Sequence, residues 1–401
     1  MGRAVRAASL GAGFLALSGG AVAVAGSLLE GTARIGFGPA GSAVVPLRVA
    51  GIMCGVIAVI AAIGWFIGRG RGRNWYLGCG ATAIVAFLIT AAARGTSLDL
   101  TGLMAQSVRM ATPIALGALA GILCERSGVI NIAIEGMMLT GACAGFITAT
   151  FARSSGIGVI AAVVAGGLMA ALHALLTITH RTDQIVSGTA INILAVGITG
   201  FARRSLLLRE GLPMVKILPT IHLPLLSQIP IVGPVLFSHQ PIVFVSVALL
   251  VIIHIGLYYT PWGVRTRACG EHPRAADTVG IRVNRLRIIN VIAGGLVAGL
   301  AGAWFSLETT GTFDDVMTSG KGFIALAAMI FGKWRPFGAF LGALLFGFAD
   351  ALQIKLQVLG IGIPYQILGM LPYLVTIIAL TGLVGRAVPP AADGQPYISG
   401  E

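Results

Sequence analysis

Three polar side chains stand inside apolar stretches, where they could line a path for a solute. Asn131 and Glu135 lie four residues apart in ERSGVINIAIEGMMLTG (residues 125–141), so in a helix they would share one face. Asn192 lies in a later apolar stretch. Polar groups at membrane depth are costly, so we predict that all three belong to a substrate pathway. Two structural alternatives stay open: a Glu135 pinned by a neighbouring helix, and an Asn192 bonded to another helix.

Two glycines flank the pair formed by Asn131 and Glu135. Gly128 precedes the pair and Gly136 follows it, which predicts that the helix is interrupted here. Interrupted helices in transporters leave backbone groups free to face a water-filled path. The glycines therefore favour the pathway interpretation.

Motifs that signal an enzyme are missing from the sequence. Gly320-Lys321-Gly322 is not a phosphate-binding GxxxxGK[ST] loop, because it lacks the upstream glycine and the hydroxyl residue, and no HExxH or GxSxG motif occurs. The five cysteines are scattered without a CxxC pair, and the histidines are dispersed. His173 is expected to be a packed or hydrogen-bonded helix residue. We predict no catalytic residue, no metal site and no cofactor bound by this chain.

The stretch from Arg265 to Arg287 has the chemistry of a contact surface. It lies between two long apolar segments and carries six arginines in a chain with few charges. These are Arg265, Arg267, Arg274, Arg282, Arg285 and Arg287.

A short helix is predicted within this stretch, in CGEHPRAADTVGIRV. It would begin near Glu271–Pro273, run for about eight residues, and end at Gly280. Ala275 and Ala276 would give it a small, flat face that another protein can approach closely. The residues alone predict an amphipathic connector on the cytoplasmic side of a membrane.

The elements that position these residues are expected to be membrane helices. The chain of 401 residues is 56% hydrophobic and 10% charged, with 57 glycines and a mean hydropathy of +0.93. Soluble domains carry about 25% charged residues. Apolar runs of about 20 residues predict about twelve spans, and glycine pairs such as Gly295 and Gly299 predict close helix packing. The spans are 7–29, 43–67, 76–93, 101–123, 129–151, 157–179, 184–206, 241–260, 287–308, a short or re-entrant stretch at 320–333, 336–356 and 362–384.

Basic residues between the spans predict the orientation. A formal net charge of +13 would suggest nucleic acid in a soluble protein, but here the arginines lie in short loops beside apolar spans. The positive-inside rule then places the 68–75 loop, the 261–286 loop and both termini in the cytoplasm. A cleaved signal peptide ending near residues 23–25 is the alternative to a retained first helix. Residues 387–401 are predicted to be a disordered cytoplasmic tail.

Four segments carry a resemblance to a known permease family. They are ERSGVINIAIEGMMLTGA (125–142), RTDQIVSGTAINILAVGITG (181–200), GEHPRAADTVGI (270–281) and GKGFIALAAMIFGKWRPFGAFLGALLFGFADALQ (320–353). Glu271, Ala275, Ala276 and Gly280 resemble the EAA-like coupling motif of ABC importer permeases. The chain is most similar to the family that serves ribose, other monosaccharides and branched-chain amino acids, and within it to the nucleoside (basic membrane protein-type) branch.

The resemblance implies an all-α polytopic membrane protein. About ten core transmembrane helices would lie in residues 96–386, with about two extra helices in residues 1–95. The chain would be the permease subunit of a nucleoside importer in a bacterial plasma membrane, coupled to its ATPase through Glu271, Ala275, Ala276 and Gly280.

The same resemblance implies several partners. A cytoplasmic ATPase with fused nucleotide-binding domains would bind the ATP. A second permease subunit would form a heterodimer with this chain, and an extracytoplasmic lipoprotein would deliver the substrate. No nucleic acid is expected as a partner.

Two other transport functions are the alternatives. A monosaccharide or branched-chain amino acid permease of the same superfamily would look similar. A secondary transporter should show internal repeats and buried coupling carboxylates, and no convincing repeat is visible.

Overall fold

The structure is a computed structural model that describes residues 16–25, 27–28, 30–67, 97–207, 214–359 and 387–398, with isolated positions between 76 and 94 and at 366, 369 and 370. Two predicted spans, 76–93 and 362–384, lie outside the described residues apart from those isolated positions. The first part of the predicted 7–29 span also lies outside them.

Helices dominate the described residues. In chain order the elements are α1 (Ala16–Ala25), β1 (Thr32–Gly36), β2 (Ser42–Pro46), α2 (Leu47–Ile67), β3 (Ser97–Asp99), α3 (Leu100–Glu125), α4 (Ile134–Ala152), α5 (Ser155–Ala174), α6 (Gln184–Ala202), β4 (Ile221–His222), α7 (Val232–Leu236), β5 (Ser238–His239), α8 (Pro241–Tyr259), α9 (Pro261–Glu271), α10 (Pro273–Thr278), α11 (Val283–Ala303), α12 (Lys321–Phe331) and α13 (Pro336–Val358). Three helices continue as π-helical turns: α5 into Leu175–Thr179, α6 into Arg203–Leu207 and α11 into Trp304–Thr310.

Eight helices within the described ranges are long and apolar enough to cross a membrane. The spans are Leu47–Trp65, Leu100–Glu125, Ile134–Ala152, Ser155–Thr179, Gln184–Leu206, Pro241–Tyr259, Val283–Thr310 and Pro336–Val358. Each overlaps a span predicted from the sequence. Helix α12 has 11 residues, fewer than the about 20 that crossing requires, so the predicted short span is confirmed as short. The predicted class, an all-α polytopic membrane protein, is confirmed.

One compact unit comprises residues 1–107, 223–237 and 348–386. It contains a three-stranded sheet in the order β2–β1–β3, in which β1 is antiparallel to β2 and parallel to β3. Strands β1 and β2 have only five residues each. Over so short a stretch, alternation of apolar and polar residues does not distinguish a strand from the end of an apolar helix. The sheet was therefore not predicted from the sequence.

The second compact unit comprises residues 108–222, 238–347 and 387–401. Its centre is the packing of α5 against α11, where the backbones approach closely. A Cβ added to Gly166 would lie 2.5 Å from the Gly299 Cα, and one added to Gly295 would lie 2.6 Å from the Gly166 carbonyl oxygen. The helix packing predicted from Gly295 and Gly299 is confirmed.

The C-terminal segment, which we define as residues 387–398, differs from the prediction. The expectation of a disordered tail is wrong for these residues, which form a turn packed on the second unit. The Ala392 N–H donates to the Gly270 carbonyl oxygen at 2.9 Å, and Tyr397 is buried in a cluster with Cys269 and Ala276. These anchors offset the weak ordering tendency of a proline-rich sequence.

Candidate functional site

The predicted pathway residues surround an interruption between α3 and α4. Residues 126–133 form turns and irregular backbone rather than helix, so the predicted interruption is confirmed after Gly128, whereas Gly136 lies within α4. The Ile130 N–H donates to the Gln184 side-chain oxygen at 2.6 Å, and the Ile130 carbonyl oxygen lies 3.0 Å from His173 Nε2. Buried non-helical backbone needs hydrogen-bond partners inside the protein, and α5 and α6 supply them here.

Both predicted asparagines contact the backbone of this interruption. Asn192 Oδ1 accepts from the Gly136 N–H at 2.8 Å, and its Nδ2 donates to the Ile132 carbonyl oxygen at 3.0 Å. Asn131 is fully buried, and its Oδ1 accepts from the Ala133 N–H at 3.0 Å. The structure thus brings Asn131 and Asn192 together on one segment, in contacts that hold its shape. Their pathway role stays a prediction.

Glu135 binds the loop that precedes α12. Its carboxylate accepts from Thr318 Oγ1 at 2.6 Å, from the Gly320 N–H at 2.8 Å and from the Gly322 N–H at 2.6 Å. A carboxylate is favourable beside the N-terminus of a helix, where free N–H groups and the helix dipole attract negative charge. This geometry matches the structural alternative for Glu135, and a pathway role stays a prediction.

Gln184 is a residue of this region that sequence reasoning missed. Its only signal was its polarity at the start of an apolar helix. His173, by contrast, behaves as predicted: it is fully buried, and its Nδ1 lies 3.1 Å from Ser187 Oγ. Among the residues that the structure describes, no group of three His, Cys, Asp or Glu side chains could hold a metal ion.

The connector, which we define as residues 261–280, contains two helices, α9 and α10, rather than only the single helix predicted at 271–280. Helix α9 ends at Glu271, the chain bends at His272, and α10 begins at Pro273, as the sequence predicted for the helix start. Proline suits the first turn because its missing N–H would have no partner there. Helix α10 has 6 residues, fewer than expected.

Gly280 closes α10, as predicted. Its φ of +82° is left-handed, its N–H donates to the Asp277 carbonyl oxygen at 2.9 Å, and the Ile281 N–H donates to the Ala276 carbonyl oxygen at 3.1 Å. These two bonds form a Schellman ending, which glycine adopts without steric cost.

The expected face of two adjacent alanines is wrong. Ala275 is exposed, but Ala276 is only 3% exposed and packs with Cys269, Val283 and Tyr397. Consecutive helix residues point about 100° apart, so one side of a short helix cannot present both. Burial also raises the pKa of the Cys269 thiol. Of the two alanines, only Ala275 is placed for contact with a partner.

The end of α9 touches the interruption between α3 and α4. A Cβ at Gly270 would overlap the Arg126 carbonyl oxygen, so glycine is required for this approach. The Arg126 guanidinium lies 4.0 Å from the Glu271 carboxylate and donates to the Trp334 carbonyl oxygen at 3.0 Å. The Trp334 indole N–H donates to Glu125 at 2.5 Å. The connector is therefore in direct contact with the segment that holds the predicted pathway residues.

The C-terminal segment also contacts the end of α3 and the interruption, through Arg287 and Asp393. Arg287 donates from Nε to the Ser127 carbonyl oxygen at 3.0 Å and from Nη1 to the Gln395 carbonyl oxygen at 2.8 Å. The Asp393 carboxyl group lies close enough to the Glu125 carboxyl group for the two to interact electrostatically. Burial raises the pKa of Asp393 to about 7, against the opposing effect of the Arg287 guanidinium.

A groove of about 530 Å³ opens between the connector and the C-terminal segment. It is lined by Glu271, His272, Pro273, Arg274, Ala275, Ala391, Ala392, Gln395, Pro396, Tyr397 and Ile398. The groove has one wall from each segment, and the exposed Ala275 belongs to it.

Comparisons with known proteins agree on one family. The model of the family described as branched-chain amino acid transport system / permease component matches residues 103–380. Guanosine ABC transporter permease protein NupQ of Bacillus subtilis (strain 168) is 42% identical over 304 residues, 73% of this chain and 94% of the relative. Nucleoside ABC transporter permease protein NupC of Lactococcus lactis subsp. cremoris (strain MG1363) is 35% identical over 305 residues, 74% of this chain and 96% of the relative.

A third relative carries a different substrate in its name. Putative glucose ABC transporter permease protein TsgC13 of Haloferax volcanii is 33% identical over 308 residues, 71% of this chain and 92% of the relative. No solved structure matches the chain.

The matched residues include the interruption, the connector and all the predicted site residues. The eight apolar spans of the described residues indicate a membrane protein, and the match over residues 103–380 assigns its family. The chain is a multi-pass membrane protein and belongs to the branched-chain amino acid transport system / permease component family.

Proposed function

We propose that the chain is the transmembrane subunit of an ABC importer for nucleosides. The observation that carries this proposal is the 42% identity, over 94% of its length, to a permease named for guanosine. A second relative, named for nucleosides, supports the same substrate class at 35% identity. The bases and sugars of nucleosides carry several hydrogen-bonding groups, which suits a path built from a membrane protein's few polar groups.

Motion would enter the chain through α10. The ATPase subunit binds ATP, closes, and pushes on the exposed Ala275 of α10 and on Glu271 at the end of α9. Because Gly270 is in backbone contact with Arg126, the push reaches the interruption between α3 and α4. Rigid-body rocking of packed helices then exchanges outward- and inward-facing states. This chain performs no covalent chemistry; ATP hydrolysis belongs to its partner.

The assembly would contain three kinds of partner. We expect an ATPase with fused nucleotide-binding domains, a second and homologous permease subunit, and an extracytoplasmic substrate-binding lipoprotein. The connector, the C-terminal segment and both termini would face the cytoplasm, in keeping with the arginines between residues 265 and 287.

The pathway would be shaped indirectly by Asn131, Glu135 and Asn192, without contact between their side chains and the solute. In this proposal they fix the interruption and α12, and the solute passes along backbone that these residues hold in place. Such an indirect role fits side chains whose polar groups are occupied by backbone contacts.

A monosaccharide permease is the second candidate, because one relative at 33% identity is named for glucose. Uptake by the complete transporter in proteoliposomes separates the two. Labelled guanosine and uridine should accumulate when ATP is present, and unlabelled nucleoside should compete, whereas glucose, ribose and leucine should not. Accumulation of glucose or leucine instead would reject the nucleoside assignment. ATP-independent accumulation without the ATPase subunit would indicate a secondary transporter.

A further inference from the structure

We propose that the C-terminal segment forms part of the surface that receives the ATPase subunit and holds α10 against the ends of α3 and α11. The inference rests on the proposed function, because the ATPase is the occupant of that surface. The segment lies beyond residues 103–380, which the family model matches, so the family pattern assigns it no role.

Backbone hydrogen bonds fasten the segment to the end of α9. The Ala392 N–H donates to the Gly270 carbonyl oxygen at 2.9 Å, and the Ala391 N–H donates to the Glu271 carboxylate at 3.1 Å. Gly270 is also the residue whose backbone abuts Arg126. The segment is thus attached where the connector meets the interrupted helix.

A buried arginine and a buried tyrosine complete the attachment. Arg287 on α11 is 2% exposed and joins the Ser127 carbonyl oxygen to the Gln395 carbonyl oxygen. Tyr397 is 7% exposed and lies in the cluster that buries Ala276 of α10. The inward side of α10 therefore rests partly on the C-terminal segment. A displacement of α10 would have to carry the segment with it or break these contacts.

The outward side of the segment is available to a partner. Together with α10 it encloses the groove of about 530 Å³, in which Gln395 and Pro396 are exposed opposite Ala275. A protein that grips Ala275 must therefore meet Pro396 as well. The ATPase is the occupant of the groove, because one wall of the groove is the helix on which the ATPase is proposed to push.

Matched arginine substitutions test this surface in the complete transporter. Pro396→Arg puts a long cation into the groove, whereas Pro389→Arg puts the same side chain at an exposed position of the segment outside the groove. Copurification of the ATPase with the affinity-tagged chain, and nucleoside uptake, should each fall about tenfold for Pro396→Arg, as expected for the loss of one well-packed interface position. Both measurements should stay at wild-type level for Pro389→Arg.

Labelling of Cys269 shows whether the segment is still docked. In a background from which Cys54, Cys79, Cys124 and Cys143 have been replaced, a maleimide should not react with Cys269, which is 0% exposed beneath Tyr397 and Ala276. Protection should persist in Pro396→Arg. If that variant becomes reactive, Gln395→Arg, a second exposed position of the groove, replaces it in the comparison.

Ala275→Arg separates this inference from the proposed function. If Ala275→Arg releases the ATPase while the two groove variants of the segment retain it, the segment is not part of the surface and only this inference fails. If Ala275→Arg also retains the ATPase and full uptake, coupling through α10 is wrong and the inference fails with it. Release of the second permease subunit instead of the ATPase by Pro396→Arg would also overturn the inference.

Discussion

Two segments place polar residues between apolar helices: the interruption at residues 126–133 and the connector at residues 261–280. The surroundings of these two segments differ. Asn131 in the interruption and Glu135 just after it, in the first turn of α4, are buried, and their oxygen atoms accept hydrogen bonds from this chain's own backbone. At the connector, Glu271 and Ala275 are exposed beside an open groove. The first region uses its polar groups to hold a shape, whereas the second leaves the Ala275 side chain exposed for contact with a partner.

This difference shows that a residue that is unusual in the sequence can be structural, whereas an ordinary residue can be functional. A charge inside an apolar span indicates a function by default, but three short hydrogen bonds to Glu135 are enough to explain its presence. An alanine such as Ala275 carries no functional signal in the sequence, yet it is exposed where a partner can contact it. Gly270 joins the two regions through its contact with Arg126.

Glu135→Ala should produce the largest effect, because it leaves three donors around residues 318–322 without an acceptor. Hydrogen bonds to a charged group contribute about 1.5–3 kcal/mol each, but bonds that share one carboxylate are not additive. We therefore expect a loss of about 3–5 kcal/mol of stability, seen as a lower melting temperature of the purified protein in detergent. Thr318→Val removes one bond and should cost less. Glu135→Gln should fall between them.

A different outcome would revive the pathway interpretation. If Glu135→Ala melts at the wild-type temperature and only nucleoside uptake is lost, the carboxylate acts on the solute and the contrast between the two regions disappears.

Gly270→Ala and Gly280→Ala form a matched pair of intermediate size. The new Cβ at position 270 overlaps the Arg126 carbonyl oxygen, so we expect a cost of about 2 kcal/mol and a marked fall in uptake, although alanine favours helix. At Gly280 nothing lies within 4 Å, and only the positive φ opposes alanine, at about 1 kcal/mol. Melting temperatures and uptake measure both. Equal uptake by the two variants would mean that the contact between α9 and Arg126 does not transmit motion.

Sequence reasoning located these regions but not their contacts. Apolar length identifies the spans, and glycine and proline identify the interruption and the ends of α10, because these signals are local. The contacts of Ile130 with Gln184 and of Arg287 with Gln395 join residues 54 and 108 positions apart. Composition also made the C-terminal segment look disordered, since the buried surface that orders it belongs to other parts of the chain.

The smallest expected effect concerns pH at the C-terminal segment. Burial raises the pKa of Asp393 from 3.8 to about 7, while the Arg287 guanidinium and the interaction with the neighbouring Glu125 side chain act in the opposite direction. Because the pKa of Asp393 is higher when the segment is docked than when it is released, the docked segment keeps this proton to higher pH. Docking should therefore weaken as pH rises from about 4 to about 7, by at most about tenfold per pH unit, and change little above that window.

Asp393→Asn tests this dependence because it keeps the size of the side chain and removes its titration. Maleimide labelling of Cys269 in the background described above reports release of the segment. The ratio of the wild-type rate to the Asp393→Asn rate cancels the titration of the thiol itself. This ratio should rise with pH through the window and then level off, because only the wild-type segment acquires a buried charge. A ratio that stays constant would show that Asp393 remains ionised in the docked segment, paired with Arg287, and that docking does not respond to pH through this residue.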